Sequence, residues 1–190
     1  VSVVPERRTE RLLLRGWQNS DRRAFAAMNA DLDVMRHFPS TLRTEQSDEM
    51  VDRHMQHWSE RGYGLWAVQR LDNDEFIGFV GLHAPSFQAH FTPCVEVGWR
   101  LAHAHWGNGF APEAALEALA FAFSEVSLPG DEVVSFTTAG NTNSRRVMEK
   151  LGLRRDPADD FDHPALTHWE GRRHVLYRMH RSQWAAQMAR

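Results

Sequence analysis

At 190 residues, 42% hydrophobic and 25% charged, the chain has the make-up of one globular domain or two very small ones. A chain of this length buries roughly 70% of its unfolded surface, so it needs no disulfide or metal staple, and the single cysteine, Cys94, excludes an internal disulfide. A formal net charge of −3 carries no electrostatic footprint for nucleic acid or an anionic membrane surface.

The opening Val1-Ser2-Val3-Val4-Pro5-Glu6-Arg7-Arg8 does not read as a signal peptide, and no apolar run approaches the ~20 residues of a membrane span. The expectation is a soluble cytoplasmic protein. Leu12 to Arg15 reads as a first strand. Asp21 to Asp31 reads as a helix with Phe25 and Met28 on one face and Ser20 as its N-cap. A second helix runs from about Thr44 to Arg61, with Met50, His54, His57 and Trp58 as its apolar stripe and Gly62 as its stop. Leu65 to Arg70 and Phe76 to His83 flank the turn Asp72-Asn73-Asp74 and predict a hairpin. Cys94 to Leu101 is the next strand, followed by a glycine loop and a helix from Pro112 to about Val126. Glu132 to Thr138 is a strand and Ser144 to Leu151 a short helix closed by Gly152. Arg173 to Met179 is a late strand, and Ser182 to Met188 a terminal helix. No repeat, low-complexity tract or linker interrupts residues 1–190, which read as a single domain of the α+β class, a mixed sheet carrying helices.

The strongest local signal lies between Val95 and Val126. Gly107 and Gly109 allow a tight turn and close approach of the backbone to a ligand. The next helix starts Ala111-Pro112-Glu113, without Ser, Thr, Asp or Asn at the expected cap, so its first N–H groups and dipole lack a side-chain acceptor. Such an end suits phosphate or pyrophosphate, although a plain strand-to-helix turn would use the same glycines. No Gly-Lys-Ser/Thr follows, which excludes a Walker loop, and a dinucleotide fingerprint would need a third glycine in a leading βαβ unit.

Four segments in order carry a resemblance: Val95-Glu96-Val97-Gly98-Trp99-Arg100-Leu101, Trp106-Gly107-Asn108-Gly109-Phe110-Ala111-Pro112-Glu113-Ala114, Asn141-Thr142-Asn143-Ser144, and Glu149-Lys150-Leu151-Gly152-Leu153. Together they resemble the GNAT superfamily of acetyl-CoA-dependent N-acetyltransferases, most closely the RimJ/RimL branch of ribosomal-protein N-terminal acetyltransferases. The resemblance runs from Thr9 to Tyr177 and is weakest in the two early helices. It implies a largely antiparallel sheet splayed between its fourth and fifth long strands, Cys94–Leu101 and Glu132–Thr138, with acetyl-CoA in the gap. The backbone of Trp99, Arg100 and Leu101 would meet the pantetheine arm. Trp106, Gly107, Asn108, Gly109, Phe110 and Ala111 would form the pyrophosphate loop, Asn141 and Ser144 would border the arm, and Arg145 with Arg146 would reach outer phosphates.

Amine acetylation needs a base for the amine proton, a donor for the oxyanion and a partner for the departing thiolate. Glu96 is the first choice as base, because a carboxylate on a hydrophobic sheet tends toward a raised pKa, and His83 is the second. Backbone N–H near Trp99 would serve the oxyanion. The tyrosine that many members of the superfamily use as acid is replaced here, at the equivalent position, by Met148. RimL-like enzymes use instead a serine matched by Ser144, a residue equally suited to capping its helix. Tyr177 reads as core.

His54 with His57 and His103 with His105 lack a third ligand at familiar zinc spacing, so no metal is expected. Asp156, Asp159, Asp160 and Asp162 offer a possible acidic rim for a cationic acceptor, although a solvated loop is the simpler reading. The expected partner is an amine, either a protein N-terminus or a small molecule. The competing function is a catalytically silent acyl-CoA-binding or interaction module. Trp58 and Trp184 are noted as candidates for a homodimer surface, with core packing as the alternative.

Overall fold

The structure, a computed structural model, describes residues 4–189. Val1 to Val3, part of the opening segment discussed above, and Arg190 lie outside the described residues. The strands are β1 (Arg7–Arg8), β2 (Leu12–Arg15), β3 (Leu65–Arg70), β4 (Phe76–His83), β5 (Glu96–Leu101), β6 (Glu132–Thr138), β7 (Arg154–Arg155), β8 (Phe161–Asp162) and β9 (Arg173–His180). The helices are α1 (Asp21–Ala30), α2 (Thr44–Arg61), α3 (Phe110–Glu125), α4 (Thr142–Lys150) and α5 (Arg181–Met188). One sheet runs β1-β2-β3-β4-β5-β6-β9-β7, with β8 also on β9. Every pairing is antiparallel except β5 with β6. The mixed α/β fold expected from the sequence is the one observed.

Alternation along the strands sends two residue sets to two cores. One face buries Leu12, Trp66, Ile77, Leu82 and Val97 against α3. Ala114, Ala115, Ala118 and Ala122 are fully buried on that helix, and their short side chains let it lie close to the sheet. The opposite face buries Ala67 and Phe79 under Phe25 and Met28 of α1 and Val51 of α2. Trp58 is buried, its Nε1 donating to Leu65 O at 3.1 Å, and Trp184 stacks on Phe123 with centroids 5.4 Å apart. Core packing therefore accounts for both tryptophans. Cys94 is a buried free thiol, and burial pushes its pKa up to about 12.

Three expectations shift. Ser20 makes no cap bond to α1. Asp21 accepts from Gln18 N at 2.8 Å instead, while Arg15 donates two 2.8 Å bonds to its carboxylate. Helix α3 begins at Phe110 rather than Pro112, capped by Gly109. Helix α4 begins at Thr142, capped by Asn141, whose Oδ1 accepts from Ser144 N at 3.2 Å. The two-residue strands β1, β7 and β8 are too short to leave a periodic pattern in the sequence. No described helix is long and apolar enough to cross a membrane.

Candidate active site

The sheet opens between β5 and β6. The two pair at a single register position, Glu96 with Val134, where Val134 N donates to Val95 O at 2.9 Å. One step further the hydroxyl of Ser135 takes over, donating to Val97 O at 2.8 Å, and beyond it the strands separate. On its other edge β5 remains paired with β4 along its whole length. The bond from Ala102 N to Ile77 O fixes the phase of that ladder. Arg100 and Gly98 therefore direct their main-chain groups at β4, whereas the N–H and C=O of Trp99 face the gap. This narrows the expected backbone contacts. Arg100 has its main chain in the β4 ladder, and the Leu101 carbonyl is occupied by Trp106 Nε1 at 2.8 Å.

The glycine loop follows directly. Gly107 and Gly109 have φ of 77° and 79°, a region that penalises any residue with a Cβ. The first main-chain bond into α3 runs from Glu113 N to Gly109 O at 3.2 Å. That leaves the N–H groups of Phe110 and Ala111 without helical partners, and no side chain caps them. Asn108 departs from its expected role. Its side chain donates to Trp106 O at 3.0 Å and its carbonyl accepts from Arg11 Nη1 at 3.0 Å, so it faces away from the cavity. Arg11 also donates Nε to Glu113 at 2.7 Å and lies over the Phe110 ring, while Thr9 Oγ1 donates to the same carboxylate at 2.5 Å. This brace behind the loop was missed in the sequence because its members are about 100 positions apart.

The gap continues into a cavity of about 970 Å³ that reaches the face covered by α1 and α2. Glu96, Gly98 and Arg100 share that face, as their alternation with the buried Val97 requires. Burial pushes the Glu96 carboxyl up to about 8. His83, its cross-strand neighbour, is held below the ordinary histidine range by burial and then by Arg61, and its ring lies 4.9 Å from that of His57. Both candidate bases thus line one wall. Ser144 lines the opposite wall and its hydroxyl makes no hydrogen bond among the described residues, because Asn141 does the capping. Asn141 also donates to Thr137 Oγ1 at 2.9 Å.

Arg145 does not reach the cavity. Its Nε points to Tyr177 Oη at 3.4 Å and its Nη1 donates to Ala139 O at 3.1 Å. Arg146 and Lys150 line the cavity in its place. Tyr177 is buried, with its hydroxyl donating to Glu149 at 2.9 Å, as a core residue. The four aspartates form no acidic rim. Asp159 and Asp160 pair with Arg178 and Arg155, Asp162 lies beside Arg172 and Arg173, and Asp156 accepts from Ala158 N at 2.9 Å. Among the described residues the one three-ligand cluster is Asp31, Asp33 and His103, where Asp33 already pairs with Arg36.

A sheet split at one bridge, a strand edge left unpaired inside the split, and an uncapped helix end beside it define an acyl-CoA-dependent transferase architecture. Residues 11–154 match the acetyltransferase (GNAT) domain, and the chain belongs to this family of acetyl-CoA-dependent N-acetyltransferases. An uncharacterized N-acetyltransferase of Bacillus subtilis, YoaA, is 30% identical over 156 residues, covering 81% of this chain and 85% of that protein. A GNAT-family acetyltransferase structure from Bacillus anthracis superposes with a TM-score of 0.77 at 26% identity, covering 94% of this chain and 99% of that one. The same fold is found in spermidine N-acetyltransferase from Vibrio cholerae, solved with CoA and spermine. There the TM-score is 0.70 at 18% identity, with 92% of this chain and 98% of that one covered.

Proposed function

We propose that this single-domain protein acetylates a primary amine by direct attack on acetyl-CoA in a ternary complex, as a member of the RimJ/RimL-like branch. The observation that carries the reading is the Trp99 main chain, unpaired and aimed into a gap whose far end is the uncapped start of α3. The Trp99 carbonyl suits an amide N–H of a pantetheine arm, and the uncapped N–H groups of α3 suit a pyrophosphate. Gly107, Gly109, Phe110 and Ala111 would hold the pyrophosphate, with Arg146 and Lys150 placed for outer phosphates. When bound, acetyl-CoA supplies an activated acetyl group.

The chain's own groups then divide the work. Glu96, once ionised, takes the proton from the amine, directly or through a water. Trp99 N–H donates toward the carbonyl oxygen on which negative charge develops. The Ser144 hydroxyl donates to the departing sulfur, a role available to it because it is not engaged in capping.

Calorimetric titration with acetyl-CoA, using ATP and NAD as controls, tests the cradle. Selective micromolar binding is expected, and its absence would overturn the cofactor assignment. Thiol release with a panel of amines then separates a working transferase from a silent acyl-CoA-binding module.

A further inference from the structure

The cavity's charges are lopsided. Glu96 is the sole carboxylate among the described lining residues, whereas Arg36, Arg100, Arg146 and Lys150 are cationic. Arg36 pairs with Asp33, and Arg146 and Lys150 lie on α4 beside the proposed cofactor site. Arg100 is unlike the others. It forms no ion pair among the described residues, and its guanidinium lies over the rings of Phe38 and Phe79, at 4.2 and 5.4 Å from their centroids. Its Nη1 donates to Asn29 Oδ1 at 2.6 Å, and Asn29 is itself fixed by donating to Ser47 Oγ at 2.9 Å. Among the described residues the Nε is buried without an acceptor, and Nη2 has none either. Burial pulls the Arg100 pKa down to about 10 with no carboxylate opposing it.

An enclosed guanidinium with one satisfied edge is costly unless an anion completes it. Nη2 is the guanidinium nitrogen left open on the cavity side, where it can donate a charge-assisted bond to a carboxylate. The nearby His54, kept neutral at a pKa of about 3 by burial and neighbouring positive charge, supplies no negative charge to balance it, and its Nε2 is likewise without a partner among the described residues. On β5, Arg100 shares its face with Glu96 four residues away, about 13 Å along the strand. Between them Gly98 leaves the floor open: a Cβ there would approach only Glu96 Oε1, at 3.7 Å. Resting on the transferase reading above, we infer that the acceptor is an amine bearing a carboxylate, which Arg100 binds while the amine lies over Gly98 toward Glu96. A polycationic acceptor is disfavoured by the same charges.

The test uses ω-amino acids of increasing chain length and their uncharged amides, followed by thiol release. Calorimetric titration of the CoA-loaded protein with the same compounds reads recognition without turnover. At one chain length or more, the acid should exceed its amide by at least ~tenfold in kcat/KM and in affinity, as a charge-assisted pair lost on amidation requires. Arg100→Met should abolish that preference, and Arg100→Lys should keep part of it, with acetyl-CoA affinity unchanged in both. Equal handling of acids and amides by the wild type, or a preference that survives Arg100→Met, overturns the inference while leaving the transferase intact. Selective acid binding with no turnover of any amine would instead sustain the Arg100 site and overturn the transferase reading.

Discussion

The burial that lifts Glu96 to a pKa of about 8 acts in opposite directions on turnover and on stability. The facing groups are His83, kept neutral by burial, and Cys94, whose thiol titrates far higher. Among the protein's own facing groups, Glu96 is therefore the one expected to give a rising limb in kcat/KM near pH 8, and the limb of the acceptor amine's own titration should persist when Glu96 is replaced. Glu96→Gln should remove the Glu96 limb and lower kcat by ~10²–10⁴-fold with acetyl-CoA affinity kept, as read from pH–rate profiles and calorimetry. Stability follows the reverse sign. Between about pH 4.5 and 8 the folded carboxyl keeps a proton that the unfolded chain has lost, so wild-type stability falls as pH rises through this window. Denaturation midpoints should consequently favour Glu96→Gln over wild type at pH 9 by more than at pH 4. Ser144→Ala should cost about 1.5–3 kcal/mol in the barrier, or ~13–160-fold in kcat, while leaving the urea midpoint nearly unchanged because Asn141 caps α4. Glu96 was legible in the sequence from its position in a strand beside valines. The side chain of Arg100 was not, because a strand arginine gives no sign of whether it meets a carboxylate, solvent or a pair of aromatic rings.

At the scale of elements, the long strands and helices were legible because alternation and helical spacing persist through them. The bounds of β2, α2, β3, β4 and β6 were read as observed, and ends of the other long elements moved by one to two residues. The glycine loop was legible as a unit, but its internal division was not: Asn108 points outward and the brace from Arg11 and Thr9 comes from the far end of the chain. Nor did the sequence show where β5 and β6 part, although Ser135, a lone hydroxyl among Val133, Val134 and Phe136, was a signal available to be read. Gly109→Ala tests the loop. An L-residue in that left-handed conformation costs ~1–2 kcal/mol, and the added methyl meets Arg11 Nη2 at 3.4 Å. The variant should lose stability by about that amount in urea titration and bind acetyl-CoA more weakly.

Taken whole, the sheet consists of a β1–β5 section and a β6–β9 section joined within the sheet by one bridge. A ligand seated across that seam should tie the sections together. Acetyl-CoA at a hundred times its Kd should add about 2.7 kcal/mol to unfolding, and hydrogen exchange should slow first at the facing edges of β5 and β6. Protection confined to α1 and α2 would contradict a cofactor in the seam. The residue at the bridge is Glu96 itself. In mechanical terms it sits where the two sections are fastened: any widening of the seam would move points along β5 and β6 by amounts that grow with their distance from that fastening. As the base proposed above, the Glu96 carboxyl would be carried by the point of β5 that is tied to β6.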